Sequence, residues 1–293
     1  MESMERTGRT DATEYTTIGA FRSANVHLTS CCNYRCGFCF STKLDKRWLS
    51  ANEWVPILEK FRHSGICKIN YAGGEPFLYP EIAELCKVSK RMGFKVSIVS
   101  NASLIDEYVL SDLEGSLDWL GLSVDSISED TERKLGRDCN GGNHIENVVS
   151  VADMAHRHKI SVKLNITVVR QSVDDDFTDL IRRIDPQRVK VFQMLSLRNV
   201  NPDADALYGV TDEEFESFRK RHSEIVLSNG DSLIFEDNDV MEGSYLMLDP
   251  LGRVMTNSGR VLGYHSLDSI SEDWFAVLDD QKYILRDGLY FMR

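Results

Sequence analysis

The stretch NVHLTSCCNYRCGFCF, residues 25–40, couples a short β-branched run, Asn25–Thr29, to a loop in which Cys32, Cys36 and Cys39 follow one another at spacings of four and three. An alternating run of that length reads as a strand, so the cysteines stand just past a strand's C-terminal end. Downstream, strand candidates recur at Lys68–Tyr71, Lys95–Ser100, Trp119–Val124, Ser161–Val169 and Arg188–Gln193. Helical periodicity fills the intervals: Ala51–Arg62, Glu81–Met92, Ile105–Leu113, Glu146–Lys159 and Asp174–Ile184. Six strands separated by helices predict parallel βαβ units.

Such units close into a full or partial barrel or lie in an open doubly wound sheet, and periodicity does not separate the two. Polar residues stand at or just past nearly every strand's C-terminal end, where barrel sites are built: GGEP after the second strand, Asn101 after the third, Asp125 after the fourth. This favours a barrel. Past residue 200 the pattern changes to an acidic helix near Asp212–Ile225 and the short runs Ser232–Phe235, Tyr245–Leu248 and Arg253–Thr256. The expected organisation is a polar tail over 1–22, a barrel over 23–200 and a C-terminal α/β extension over 201–293 that closes a pocket.

Composition narrows the function. The 293 residues carry 34 Lys+Arg against 46 Asp+Glu, a formal charge of −12, which argues against a nucleic-acid-coating or membrane-surface protein. With 42% hydrophobic and 27% charged residues the chain is globular, and its length buries roughly three quarters of the unfolded surface. Four of the seven cysteines fall within residues 31–39, too crowded to staple a fold of this size. Neither a signal peptide nor an 18-residue apolar run is visible, so a reducing, cytosolic setting is expected, with no membrane attachment. Cys67, Cys86 and Cys139 stand alone.

Three thiolates on one loop suit a soft metal centre, either an iron–sulfur cluster or zinc. A [4Fe–4S] cluster with three protein ligands leaves one iron open. A structural zinc would need Cys31 or His27 as its fourth ligand, and adjacent Cys31 and Cys32 fit one tetrahedral ion poorly.

CNYRCGFC resembles the CxxxCxxC loop of the radical S-adenosylmethionine (SAM) enzymes, and Gly73-Gly74-Glu75-Pro76 resembles their GGE motif. The likeness tightens with KINYAGGEPFL, VSIVSNASLI, LGRDCNGGNHIENV, VKLNITVV, DPQRVKVFQML and SYLMLD, spread in order over nearly the whole chain. On these segments the chain is identified as a member of the viperin-like radical SAM enzymes. The resemblance implies a partial (β/α)6 TIM-like barrel, a [4Fe–4S] cluster on Cys32, Cys36 and Cys39, and SAM on the open iron. It implies that a 5′-deoxyadenosyl radical removes the ribose C4′ hydrogen of a nucleoside triphosphate, CTP or UTP. The product would be a 3′-deoxy-3′,4′-didehydro chain terminator with an antiviral role.

It assigns residues too. Gly73, Gly74 and Glu75 would hold the SAM ammonium, Ser100, Asn101, Ser123 and Asp125 its ribose and amino-acid parts, and Arg137 its carboxylate. Lys163, Arg188 and Lys190 would bind phosphates, Asn165 sugar or phosphate, and Arg260 a further phosphate. Asn25 and Lys68 would line the nucleotide pocket. Tyr245 and Lys68 are the catalytic candidates, Tyr245 as a late donor of hydrogen or a proton. The period-two spacing of Lys163 with Asn165, and of Arg188 with Lys190, points each pair to one side of its strand, which in a barrel is the lumen or the outer face.

Three departures from mammalian viperin stand out. Ala72 replaces a serine, residues 1–22 lack an amphipathic membrane helix, and the chain ends in Met292-Arg293 rather than tryptophan, the residue that recruits cytosolic iron–sulfur assembly factors. A microbial or fungal relative, a monomer served by an external electron donor and a different cluster-delivery route, is expected. The competing functions are a radical SAM enzyme for another nucleotide, a peptide or a molybdopterin precursor, and a non-catalytic zinc- or nucleotide-binding protein. A second cysteine cluster after the barrel is common in the peptide and molybdopterin group, and no cysteine follows Cys139.

Overall fold

The computed structural model describes residues 21–137, 142–267 and 278–292; the tail before residue 21 and Cys139 lie outside them. Seven parallel strands run in sequence order: β1 (Ser23–Thr29), β2 (Lys68–Gly73), β3 (Lys95–Ser100), β4 (Trp119–Ser123), β5 (Ser161–Val168), β6 (Arg188–Gln193) and β7 (Ile234–Glu236). The helices α1 (Ala51–His63), α2 (Ile82–Arg91), α3 (Glu107–Asp112), α4 (Glu129–Leu135), α5 (His144–Arg157) and α6 (Thr178–Ile184) fall between the first six. On the far side of β1 the sheet continues through β8 (Met247–Leu248), β9 (Val254–Thr256) and β10 (Gly263–His265). Because β10 and β7 end the strand order without pairing, the barrel is partial.

The barrel forms because each strand is apolar outward, under its helix, and polar inward. In α1 the capping box of Ser50 and Glu53 fixes the first turn, and Trp54, Leu58 and Phe61 bury one face against the sheet. Val26 and Leu28 on β1 and Leu164 and Ile166 on β5 are fully buried in the same core. Burying each such side chain stabilises the fold by about 1.5–3 kcal/mol. Residues after 200 contribute strands to both edges of this sheet, and α10 (Asp280–Leu285) leads into a terminal turn that crosses the barrel's lower end.

Helix α4 was missing from the periodicity pattern: its sequence EDTERKL carries one apolar residue, and the helix is fixed instead by Ser128 at its N-terminus and by Gly136 at φ +82 past its end. Among the described residues no helix is long and apolar enough to cross a membrane.

Candidate active site

The barrel encloses a cavity of about 380 Å³ whose wall includes Cys32, Cys36 and Cys39 at one end and Lys68, Lys163, Arg286 and Tyr290 among its lining residues. Strand pleating explains the lining. On β1 it takes Ser23, Asn25 and His27; on β2 Lys68, Asn70 and Ala72; on β5 Lys163, Asn165 and Thr167. These are every second residue, as inward-facing positions must be. At about 3.3 Å per residue, Lys68 lies roughly 16 Å along β2 from Gly73 beside the cysteine loop. The cavity is therefore long, with cysteines at the strands' C-terminal ends and cations toward their N-terminal ends.

The cysteine loop is held in close approach to β2. A Cβ on Gly74 would sit 2.0 Å from the Cys31 carbonyl oxygen, and one on Gly73, at φ +138, would sit 2.3 Å from the Thr29 oxygen. Only glycine fits at either position. On its other side the loop is tied to the end of α4 by Arg35 N–H donating to the Gly136 carbonyl at 2.9 Å and Gly37 N–H to Leu135 at 3.0 Å. Asn101 donates to Asn33 Oδ1 at 2.9 Å and lies 3.8 Å from Cys32 Sγ.

Burial pushes the Cys36 thiol up to about 12 and raises Cys32, with Arg137 opposing both rises. Such thiols are poor free nucleophiles and suit a metal that displaces their protons. Among the described residues no three His, Cys, Asp or Glu side chains converge tightly enough for a single ion. A lone zinc needs sulfurs under about 4 Å apart, whereas a cubane spreads its three thiolates more widely. Of the two candidates for a fourth zinc ligand, Cys31 is not on the cavity wall, whereas His27 is, with its Nδ1 3.3 Å from Ser41 Oγ. Three thiolates on one loop at the end of the cavity fit an iron–sulfur cluster that keeps one iron open.

Of the expected SAM residues, Gly73, Gly74, Ser100, Asn101, Ser123 and Arg137 line the cavity. Glu75 and Asp125 do not. The Glu75 carboxylate turns into the protein, where it accepts from Ser100 Oγ and Asn101 N–H at 2.8 Å each and from Phe77 N–H at 3.2 Å. Burial raises it to about 7 despite these bonds. Its observed work is to fix the turn after β3. Asp125 is fully buried behind Arg137, accepting from its Nε at 2.6 Å and from Thr167 N–H at 2.8 Å, so it orients that arginine.

At the other end, Asn25, Lys68, Lys163, Asn165, Lys190 and Tyr245 line the cavity as expected positions. Arg188 departs from the expectation: Asp287 and the Tyr290 ring cover its guanidinium and keep it off the wall. Arg260 departs further. It lies in a tight turn at φ +58 and lines a separate surface pocket with Arg198 and Asp205.

Three partners carried no local sequence signal. Glu236, at the end of β7, ion-pairs Lys190 and accepts the Tyr245 hydroxyl. Arg286 stacks on the Tyr245 ring at 3.6 Å. Asn70 donates to Asn25 Oδ1 at 2.8 Å, so that Asn25, on the cavity wall, has its amide N–H groups left to donate. Lys68, Lys163, Arg188, Lys190 and Arg286 are all buried, and among the described residues only Glu236 and Asp287 are carboxylates in ion pairs with any of them. Burial, with the neighbouring Arg188 and Arg286, lowers Lys163 to about 7; burial and the nearby cations lower Lys68 well below its usual range. Burial raises Glu236 less than Lys190 and Arg286 depress it, so it stays ionised. Burial, then Glu236, raises Tyr245 well above its usual range and keeps its phenol protonated.

A partial barrel with three cysteines on the loop after its first strand, facing a glycine pair after the second, defines a radical SAM protein, and the Radical SAM superfamily model matches residues 26–184. The fold is shared with Streptococcus suis SuiB bound to its precursor peptide SuiA, at a TM-score of 0.66 and 16% identity over 90% of this chain and 66% of that one. It is shared as well with anSMEcpe with bound AdoMet, at 0.60 and 17% over 80% and 73%. A protein of Thermoplasmatales archaeon (strain ISO4-H5) named S-adenosylmethionine-dependent nucleotide dehydratase is 46% identical over 95% of this chain and 99% of its own length. One of Siniperca chuatsi, named S-adenosylmethionine-dependent nucleotide dehydratase RSAD2, is 33% identical over 92% and 78%. The chain belongs to the S-adenosylmethionine-dependent nucleotide dehydratases, the viperin family of the radical SAM superfamily. Membership of the radical SAM superfamily implies a [4Fe–4S] cluster and SAM as its cofactors.

Proposed function

We propose that this chain removes water from the ribose of a nucleoside triphosphate, giving the 3′-deoxy-3′,4′-didehydro nucleotide. One observation carries the choice of substrate: among the described residues five buried cations, four on the cavity wall and Arg188 just behind it, stand against two carboxylates. Buried charges without counter-charge cost several kcal/mol each, and a triphosphate of roughly −4 charge supplies what is missing. The donors left open point the same way. The Lys163 ammonium makes no hydrogen bond among the described residues, and with its Oδ1 taken by Asn70 the Asn25 amide keeps its N–H donors.

Cys32, Cys36 and Cys39 would hold the cluster, with Arg137 and the Gly73-Gly74 backbone beside SAM. When bound, these cofactors supply a 5′-deoxyadenosyl radical that takes the C4′ hydrogen. The protein's share is positioning. Lys68, Lys163 and Arg286 draw the phosphates to the far end, and Lys190, level with Asn165 in the sheet, meets them from the ribose side, which leaves the ribose at the level of Asn25 and Asn165, between phosphates and cysteines. That distance makes Lys68 a phosphate ligand rather than a group acting at the sugar. Loss of the 3′-hydroxyl as water then requires one electron and one proton. The electron comes from an external donor, and Tyr245, protonated and held by Glu236, is the group on hand for the proton.

The test is to reduce the reconstituted enzyme with SAM and each of the four ribonucleoside triphosphates separately. One of them is expected to stimulate 5′-deoxyadenosine formation and to lose water. Stimulation by none would refute the dehydratase assignment, and the responsive one identifies the base.

A further inference from the structure

Arg188 opens β6 at the cationic end of the cavity yet does not face it. The turn after α10 covers it. The Asp287 carboxylate accepts from one terminal nitrogen at 2.5 Å, the Asp287 carbonyl accepts from the other at 3.1 Å, and the Tyr290 ring lies 3.9 Å from the guanidinium carbon. The adjacent residue, Arg286, does face the cavity and is anchored by two bonds to the Ser244 carbonyl, at 3.0 and 2.8 Å. Two neighbours in sequence thus bring opposite charges to one site. The turn adds a cation and masks another.

We propose that Asp287 is a built-in stand-in for a substrate phosphate: it occupies Arg188 when no triphosphate is bound and gives the arginine up to the phosphate chain. The inference rests on the triphosphate reading above and deepens it. Four features separate this pair from a structural ion pair such as Lys190 with Glu236. Asp287 is 24% exposed on its side chain while Arg188 is 4% exposed, so of the two it is the carboxylate that borders water. A carboxylate and a phosphate present alike to a guanidinium, so one replaces the other without rebuilding the fork. The Arg188 Nε is buried with no hydrogen-bond partner among the described residues, leaving one donor that a larger anion could take. Finally, Asp287 is held at φ +55, in the left-handed region where only glycine, asparagine and aspartate are at ease.

The competition sets affinity. With Asp287 in place, the triphosphate must displace an anion already seated, which weakens the ground-state complex and speeds release of a product that keeps all its phosphates. The effect is specific to the phosphate chain and does not touch base or SAM.

The experiment measures binding of tripolyphosphate, of the four ribonucleoside triphosphates and of the corresponding nucleosides to the reconstituted holoenzyme with SAM, in the parent, Asp287→Asn and Asp287→Gly. Asparagine keeps the size and accepts the left-handed backbone; glycine accepts the same backbone and removes the carboxylate without adding an amide. Both variants are expected to bind tripolyphosphate and the favoured nucleotide about tenfold tighter at low salt, the gain shrinking as salt rises, with nucleoside and SAM affinities unchanged. Equal or weaker triphosphate binding in both variants overturns the stand-in role and leaves the dehydratase reading intact. Failure of the parent to bind any of the four triphosphates, with SAM bound normally, overturns the nucleotide reading and this inference with it.

Discussion

Inside the barrel the Lys190 ammonium rests against the Glu236 carboxylate, the lysine 5% and the glutamate 0% exposed. The pair crosses from β6 to β7, so it joins the last strand of the six βα units to the first strand after them. Removing one partner leaves the other charge buried, which typically destabilises by about 3–5 kcal/mol. Glu236→Gln is therefore expected to unfold at lower temperature, and a bound triphosphate should raise its melting temperature more than the parent's, because the anion replaces the lost carboxylate. Thermal unfolding with and without nucleotide measures both. A variant as stable as its parent would show that Lys190 is content alone.

Lys163 gives a pH dependence with a definite sign. It titrates near 7 in the folded protein against an ordinary 10.5, because burial and then Arg188 disfavour its charge. Between those two values the unfolded chain holds a proton that the folded one lacks, so this group's contribution to stability rises with pH across that window. Triphosphate affinity must move the other way, since the substrate favours the charged lysine and its own charge is nearly constant above about pH 7. Calorimetric titration at pH 8 in two buffers of different ionisation heat is expected to show proton uptake on binding. Binding without uptake would mean that Lys163 is already charged in the free protein.

Gly74 sits where the cysteine loop presses on β2. A methyl group there meets the Cys31 carbonyl oxygen at 2.0 Å, and that oxygen is held by Glu75 N–H at 2.8 Å. Neither partner is a flexible side chain, so the loop must shift. Gly74→Ala should keep its fold and melt nearly as the parent does, yet incorporate fewer irons per chain on anaerobic reconstitution and bind SAM more weakly. Full iron content would show that the loop tolerates the displacement.

How far these sites could be read from the sequence depends on where the determinants lie. Strands β3 and β6 were bounded correctly at Lys95–Ser100 and Arg188–Gln193 because β-branched runs are punctuated there by local turn residues. The alternation of Lys163 with Asn165 gave a shared face, though not whether that face was lumen or exterior; the barrel's closure decides that. Glu75 was visible as a carboxylate beside two glycines, but the direction of its side chain follows from Ser100 and Asn101 arriving from the next strand. Glu236, Arg286 and Asp287 were invisible for the same reason. They reach Lys190, Tyr245 and Arg188 from segments up to 99 residues away, and no local periodicity records such a meeting.

Tyr245 offers the sharpest division between binding and chemistry. Its hydroxyl is committed to Glu236, its ring lies 3.6 Å from the Arg286 guanidinium, and burial first, then Glu236, keeps its proton in place. Tyr245→Phe preserves the ring under Arg286 and removes only the hydroxyl, so triphosphate affinity should change by less than about threefold, within the net value of one hydrogen bond. SAM cleavage should continue, because nothing at the cysteine end is disturbed. What should fall is the yield of dehydrated nucleotide per 5′-deoxyadenosine formed, since the proton that leaves with the 3′-hydroxyl has lost its source. Product and 5′-deoxyadenosine are quantified in the same single-turnover reaction, and an unchanged ratio would assign that proton to another group and leave Tyr245 as the platform on which Arg286 stacks.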